Sequence, residues 1–244
     1  MKIIAVKNYE EMSIIACNVL VKKINQIDYP VLGFATGSTP DGLYQQLIEK
    51  FNNNEVSFKN VTSFNLDEYV GLKKEDLNSY YYYMKNSFFN LIDIPDKSIN
   101  IPDGLAKNLQ RECEKYEEKI KHANNIDIQI LGIGVNGHIG FNEPGTSFTS
   151  VTRVVDLSDT TIESNSRFFN SVDEVPNQAI SMGIKTIMKS KEVILLVSGK
   201  NKAEILSKFL KENPTENLPA SILKIHKNLT IIADEEALFE FNKD

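Results

Sequence analysis

Four apolar runs constrain the fold of this chain more than any other feature. Residues 31–35 and 193–197 are short and continuous in apolar side chains or glycine, and residues 61–66 and 126–131 are short and apolar with polar residues interspersed, the pattern of strands buried on both faces. Between them apolar residues recur at helical spacing. Met12, Ile15, Ala16, Val19, Leu20, Ile24 and Ile27 form one such series; Leu43, Leu47, Ile48 and Phe51 form a second; Ala203, Ile205, Leu206, Phe209 and Leu210 form a third. Buried strands alternating with amphipathic helices predict an α/β fold, with a mostly parallel twisted sheet and helices on both faces. Residues 2–6 supply an edge or opening strand and 229–233 the last strand, with a small helix after it. Residues 79–91 read as a tyrosine-rich helix and 106–123 as a charged one. After Pro144 the expected elements are a strand at 153–157, a short helix around 160–169 and a turn of helix at 184–188, with residues 178–182 left unassigned between the helices. A chain of 244 residues is long enough for one large core. No repeat, linker or low-complexity segment divides it, so residues 1–244 are expected to form a single domain.

In such sheets ligands bind at the carboxyl ends of the strands. Each of the four runs ends there in a chemically loaded loop. Residues 36–40, Thr-Gly-Ser-Thr-Pro, stand between a strand and a helix. Their glycine and hydroxyls leave backbone N–H groups free at a helix N-terminus, a geometry that favours phosphate. The lysine-serine pair of a nucleotide P-loop is missing, and an ordinary capped turn is the competing reading. Ser198-Gly199 repeats the arrangement with Lys200 and Lys202 in the following turn. Lysine is unfavourable at that end of a helix dipole, and a bound anion would offset it; two solvated lysines are the plainer alternative. Asp67 and Glu68 come directly off a buried strand. A carboxylate there can act as a general base, while one of the pair can instead cap the next turn, and local sequence does not rank them.

The fourth loop, residues 131–144, reads Leu-Gly-Ile-Gly-Val-Asn-Gly-His-Ile-Gly-Phe-Asn-Glu-Pro. Gly132, Gly134 and Gly137 match the dinucleotide fingerprint, but that motif needs a helix to begin within it and an acid about twenty residues on. Here His138, Gly140 and Pro144 follow, and Asp156 is a poor ribose ligand, so a catalytic loop is expected and a nicotinamide site rejected. His138 is one of 3 histidines and the one on a glycine-rich loop. Glu143, five residues later, can orient it as a proton shuttle if the loop folds back. His122 and His226 are expected to be solvated.

Composition closes off other classes. The net charge of −6 argues against a nucleic-acid surface, and no apolar run approaches a membrane span. The 2 cysteines, Cys17 and Cys113, lie far apart in helical contexts. Buried free thiols and a reducing cytoplasm follow. Only Arg111, Arg153 and Arg167 carry guanidinium groups.

Three stretches resemble the signatures of glucosamine-6-phosphate deaminases. They are Thr36-Gly37-Ser38-Thr39-Pro40, Phe64-Asn65-Leu66-Asp67-Glu68-Tyr69-Val70-Gly71-Leu72 and Asn136-Gly137-His138-Ile139-Gly140-Phe141-Asn142-Glu143-Pro144. Asn165-Ser166-Arg167-Phe168-Phe169 and residues 198–203 agree, so the resemblance spans nearly the whole chain. It implies a modified Rossmann-like sheet and conversion of glucosamine 6-phosphate and water to fructose 6-phosphate and ammonia in amino-sugar catabolism. It implies that Asp67 moves a proton from C2 toward C1, and that His138, supported by Glu143, assists ring opening. Arg167 and Lys202 would bind the phosphate with Thr36, Gly37, Ser38 and Thr39, and residues 146–176 would form a mobile lid bringing Arg167 to it. The chemistry requires no redox cofactor or metal.

The sequence departs from the family pattern in two ways. Many members have an aspartate where this chain has Asn136, so Asn136 is expected as a ring-opening partner that orients His138. Regulated members bind an acetylated amino-sugar phosphate through basic residues; Arg153 matches one, but Val155 replaces a lysine and the chain stops soon after its last strand. A monomer or small homo-oligomer is expected rather than an allosteric hexamer. The partner is a small sugar phosphate, with no nucleic acid and no membrane. The competing readings are a 6-phosphogluconolactonase-like hydrolase and a sugar-phosphate sensor without turnover.

Overall fold

The computed structural model describes residues 1–158, 161–163, 166, 169 and 171–243. Ten strands run β1 Lys2–Val6, β2 Val31–Phe34, β3 Thr62–Asn65, β4 Asp67–Tyr69, β5 Ile99–Asn100, β6 Ile128–Gly132, β7 Arg153–Asp156, β8 Gln178–Ser181, β9 Glu192–Val197 and β10 Leu229–Asp234. Helices α1 Tyr9–Ile24, α2 Ser38–Asn52, α3 Tyr80–Ser87, α4 Leu109–His122, α5 Ile184–Ile187, α6 Ala203–Lys211 and α7 Glu235–Leu238 connect them. Seven strands form a parallel sheet in the order β1-β10-β9-β6-β2-β3-β5. From β2 the chain proceeds outward through β3 and β5, then returns to β6 on the other side of β2. The order therefore reverses between β2 and β6, and a crevice opens there between the loops that follow them.

The central strands are buried on both faces, including the polar Ser63, Asn65 and Gln129 that interrupt the apolar residues of β3 and β6. Along β9, Val193, Leu195 and Val197 face one layer and Ile194 and Leu196 the other. The first layer takes Tyr116 and Ile120 of α4, Leu206 and Phe209 of α6 and Leu238 of α7. The second takes Met12, Cys17 and Leu20 of α1, Leu43 and Leu47 of α2 and Met84 of α3. Each fully buried leucine or isoleucine contributes roughly 1.5–3 kcal/mol relative to exposure. Both cysteines are buried and free. No described helix is long and apolar enough to cross a membrane.

Local chemistry moved several boundaries. The charged helix begins at Leu109 because the Asn108 side chain accepts the Arg111 N–H at 2.9 Å and caps it. The tyrosine-rich helix ends at Ser87, and a 3₁₀ turn, Phe89–Leu91, carries its aromatic residues into the core. The expected short helix around 160–169 falls partly outside the described residues; 161–163 are helical.

The larger correction concerns Asp67-Glu68-Tyr69. They form a strand rather than a loop. With β8 and β7 they make a second, antiparallel sheet in the order β4-β8-β7, with Asp67 opposite Ser181. Leu66 is the junction, donating its N–H to Phe34 in the main sheet and accepting from Met182 N–H beside the small one. A three-residue strand has too little sequence to show period-2 alternation.

Candidate active site

The crevice at the strand-order reversal collects all four loaded loops. Thr39, in the first turn of α2, packs against Gly132 at the end of β6. Asp67 at the start of β4 lies against Gly140 in the segment after β6, and Ile205 of α6 lies under Gly137. That segment, residues 133–144, contains no helix, in agreement with the rejected dinucleotide reading. Its glycines serve close approach instead. A Cβ on Gly134 would fall 2.2 Å from the His138 ring, so only glycine lets the imidazole fold back. Gly140 has φ of +55°, and a Cβ there would lie 3.3 Å from both Asp67 Oδ2 and Ser181 Oγ.

The structure ranks the two carboxylates that sequence left level. Glu68 accepts N–H groups from Tyr69, Tyr80 and Tyr81 at 2.8–2.9 Å, so it ties β4 to the first turn of α3. Asp67 is 5% exposed and receives no hydrogen bond from a described residue. Burial, reinforced by the neighbouring Glu68 charge, pushes its pKa up to about 8. A carboxyl group in that state is poised to take up and release a proton near neutral pH.

Across the crevice, the loop does fold back. Asn136 Oδ1 lies 2.7 Å from His138 Nδ1 and also accepts the His138 backbone N–H at 3.2 Å. Asn136 Nδ2 donates to Glu143 Oε2 at 2.7 Å, and Glu143 Oε1 stands 3.5 Å from His138 Nδ1. An amide oxygen only accepts, so Nδ1 carries the proton and Nε2 is left for exchange. Burial would raise the Glu143 pKa; the histidine contacts, with donors from Asn136 and Thr161, outweigh it and hold Glu143 at about 2. Glu143 is therefore an anion at neutral pH, set beside the His138 ring.

The loop is pinned by a residue given no role in the sequence reading. Asn142 is fully buried, donates to Ile139 and Met182 carbonyls at 2.8 and 2.9 Å, and accepts from Arg153 at 2.9 Å. Thr161 was also missed; its hydroxyl donates to Glu143 Oε1 at 2.9 Å. Nothing in a stretch rich in serine and threonine marks that one hydroxyl.

Helices α1, α3 and α4 are capped by Asn8, Ser79 and Asn108, whereas α2 and α6, which start at the loops after β2 and β9, have no side-chain cap. The α2 start follows Gly37, with φ of +99°, and leaves its first N–H groups for an external acceptor, whereas α6 continues a 3₁₀ turn, Lys200–Lys202, in which the Lys202 and Ala203 N–H groups already bond the Gly199 and Lys200 carbonyls. A cavity of about 500 Å³ opens beside Ser38, Thr39, Gln45 and Ser198 rather than over Asp67 and His138. Lys202 is half-buried with no ion-pair partner among the described residues, and burial lowers its pKa. Lys200 is exposed over the Phe239 ring, so the lysine turned inward is Lys202. Arg167 lies outside the described residues. His122 is exposed as expected, but His226 is buried: its Nε2 is 2.8 Å from the Ser190 carbonyl, and its Nδ1 accepts the Asn228 N–H at 3.1 Å. It joins the turns before β9 and β10, a role its polar flanking sequence hid.

A parallel sheet with its loaded loops at a strand-order reversal defines the modified Rossmann-like class of α/β proteins. Within that class, the chain belongs to the family of glucosamine-6-phosphate isomerases and 6-phosphogluconolactonases, whose model matches residues 10–232. It is 58% identical to the glucosamine-6-phosphate deaminase of Oceanobacillus iheyensis over 98% of this chain and 95% of that protein. It is 54% identical to the deaminase of Shouchella clausii over 97% of this chain and 96% of that protein. A solved structure described as a monomeric glucosamine-6-phosphate deaminase superposes with a TM-score of 0.96 at 48% identity, covering 98% of this chain and all of that one. The 6-phosphogluconolactonase of Thermotoga maritima shares the fold, with a TM-score of 0.76 at 21% identity over 96% of this chain and 99% of that one.

Proposed function

We propose that this chain is a glucosamine-6-phosphate deaminase, converting glucosamine 6-phosphate and water to fructose 6-phosphate and ammonia. The observation that carries this reading is the division of labour between adjacent carboxylates. Glu68 is spent on backbone N–H groups, while buried Asp67 is left without a described donor facing the crevice loop.

The phosphate binds at residues 36–39 and Lys202, joined by Arg167, and anchors the sugar remote from the reacting carbons. His138, oriented by Asn136 and balanced by Glu143, passes the proton from the C1 hydroxyl to the ring oxygen, which opens the hemiacetal. Asp67 then takes the proton from C2 and returns it to C1, while a proton passes from the nitrogen to the C1 oxygen, turning the amino aldose into a ketose imine. Water adds to C2 of the imine and ammonia departs, so the deamination is hydrolytic. The lid expected over residues 146–176 of one α/β catalytic domain lies partly outside the described residues, and its described part includes β7. The purified chain is expected to release one ammonia per fructose 6-phosphate formed. Opening of 6-phosphogluconolactone without ammonia release from the amino sugar would overturn the assignment in favour of the lactonase branch, and binding without turnover would favour a sensor.

A monomer or small homo-oligomer in the cytoplasm goes with this reading, supported by the likeness to a monomeric deaminase. Arg153, the basic residue that matches a regulatory position, has its guanidinium bonded to Asn142 in the catalytic loop, and Val155 offers no charge. Kinetics in glucosamine 6-phosphate are therefore expected to be hyperbolic and unchanged by N-acetylglucosamine 6-phosphate. A sigmoidal curve relieved by that compound would contradict this.

A further inference from the structure

We infer that Thr161 is a positioning residue for ring opening, holding the Glu143 carboxylate in the orientation that lets it face His138. The inference rests on the deaminase reading and adds to it a residue from outside the catalytic loop.

Three hydrogen bonds fix the geometry. Ser158 Oγ donates to Thr161 Oγ1 at 2.9 Å, and the Thr161 backbone N–H returns a bond to Ser158 Oγ at 3.2 Å. Thr161 Oγ1 in turn donates to Glu143 Oε1 at 2.9 Å. A threonine hydroxyl has one proton; with Ser158 donating to the oxygen, that proton is directed to Glu143. Glu143 Oε1 is also the atom 3.5 Å from His138 Nδ1, whereas Oε2 is held by Asn136. The two carboxylate oxygens thus have separate holders: Asn136 inside the loop for one, Thr161 for the other.

The hydroxyl is itself held in place. Thr161 belongs to the helical turn 161–163, and its neighbour Ile162 packs against the cluster of Tyr69, Leu157 and Ala179, which also receives Phe141 of the catalytic loop. Thr161 and the loop carrying His138 are therefore seated on the same part of the small sheet. Without the hydroxyl, the Glu143 carboxylate keeps its charge but loses one of the contacts that fix its plane. The loss should fall on the step that uses the His138–Glu143 pair and spare steps on an already open sugar.

Thr161→Val keeps the shape and removes the donor; Thr161→Ser keeps the donor. Both should be assayed beside wild type for ammonia release, and for binding of 2-amino-2-deoxyglucitol 6-phosphate, an open-chain analogue that needs no ring opening. Thr161→Val is expected to lower kcat about tenfold, the effect of a lost bond to a charged acceptor, with the analogue Kd within about twofold of wild type. Thr161→Ser is expected to restore most of kcat. Wild-type kcat in Thr161→Val, an equal loss in Thr161→Ser, or a parallel loss of analogue affinity would each overturn the inference. Absence of wild-type turnover would instead overturn the deaminase reading, and this inference with it.

Discussion

Asp67→Asn is expected to lower kcat about a thousandfold while substrate affinity stays within a few-fold of wild type. The amide keeps the size and position of the carboxylate but cannot take a proton. The groups expected to hold the phosphate lie in other loops and are left intact. Because burial and the Glu68 charge raise the Asp67 pKa to about 8, kcat/KM of the wild type should climb with pH as that proton leaves the free enzyme.

The same shift makes Asp67 a cost to folding, and its sign is testable. The folded state holds a proton that the unfolded chain releases above its ordinary aspartate pKa near 4. The favourable contribution is complete below that value and is lost as pH rises through about 8. The amide of the variant does not titrate in this range. Asp67→Asn should therefore be more stable than wild type at pH 8, by ~1–3 kcal/mol, which raises Tm by ~2–4 °C per kcal/mol. The difference should vanish near pH 4. Thermal melts at both pH values measure it; an equal Tm at pH 8 would show that the carboxylate is solvated rather than buried. The expected pairing of higher stability with lost activity marks a strained catalytic group.

The second large effect is at His138. His138→Gln can still hydrogen-bond to Asn136, yet its amide cannot act as a general acid or base at neutral pH. Loss of a general acid–base group should lower kcat on the cyclic substrate by about 10²–10³. Affinity for 2-amino-2-deoxyglucitol 6-phosphate should be unchanged, because the analogue is already open. Calorimetry with the analogue beside steady-state kinetics separates the two, and equal losses in both would assign His138 to sugar binding.

Much of this site was legible in sequence because its parts are local. The buried strands announce themselves as short apolar runs, continuous at 31–35 and 193–197 and interrupted by polar residues at 61–66 and 126–131, and each loaded loop follows one directly. Glycine density with His138 and Glu143 in one short segment was enough to suggest a shuttle, and the missing helix was enough to reject a nucleotide. What was hidden depends on contacts between distant residues. The choice between Asp67 and Glu68 is made by the N–H groups of Tyr80 and Tyr81, 12 and 13 residues on. Arg153 reaches Asn142 across 11 positions and Thr161 reaches Glu143 across 18. The second sheet escaped because β4 is three residues long and its partner β8 lies more than a hundred positions away.

If one shielded carboxylate, Asp67, carries a proton from C2 to C1 of an opened sugar, glucosamine 6-phosphate bearing deuterium at C2 tests it most directly. A base that is 5% exposed should exchange slowly with water, so a measurable fraction of the label is predicted at C1 of the fructose 6-phosphate. Complete loss of the label to solvent, with none at C1, would contradict a single buried base.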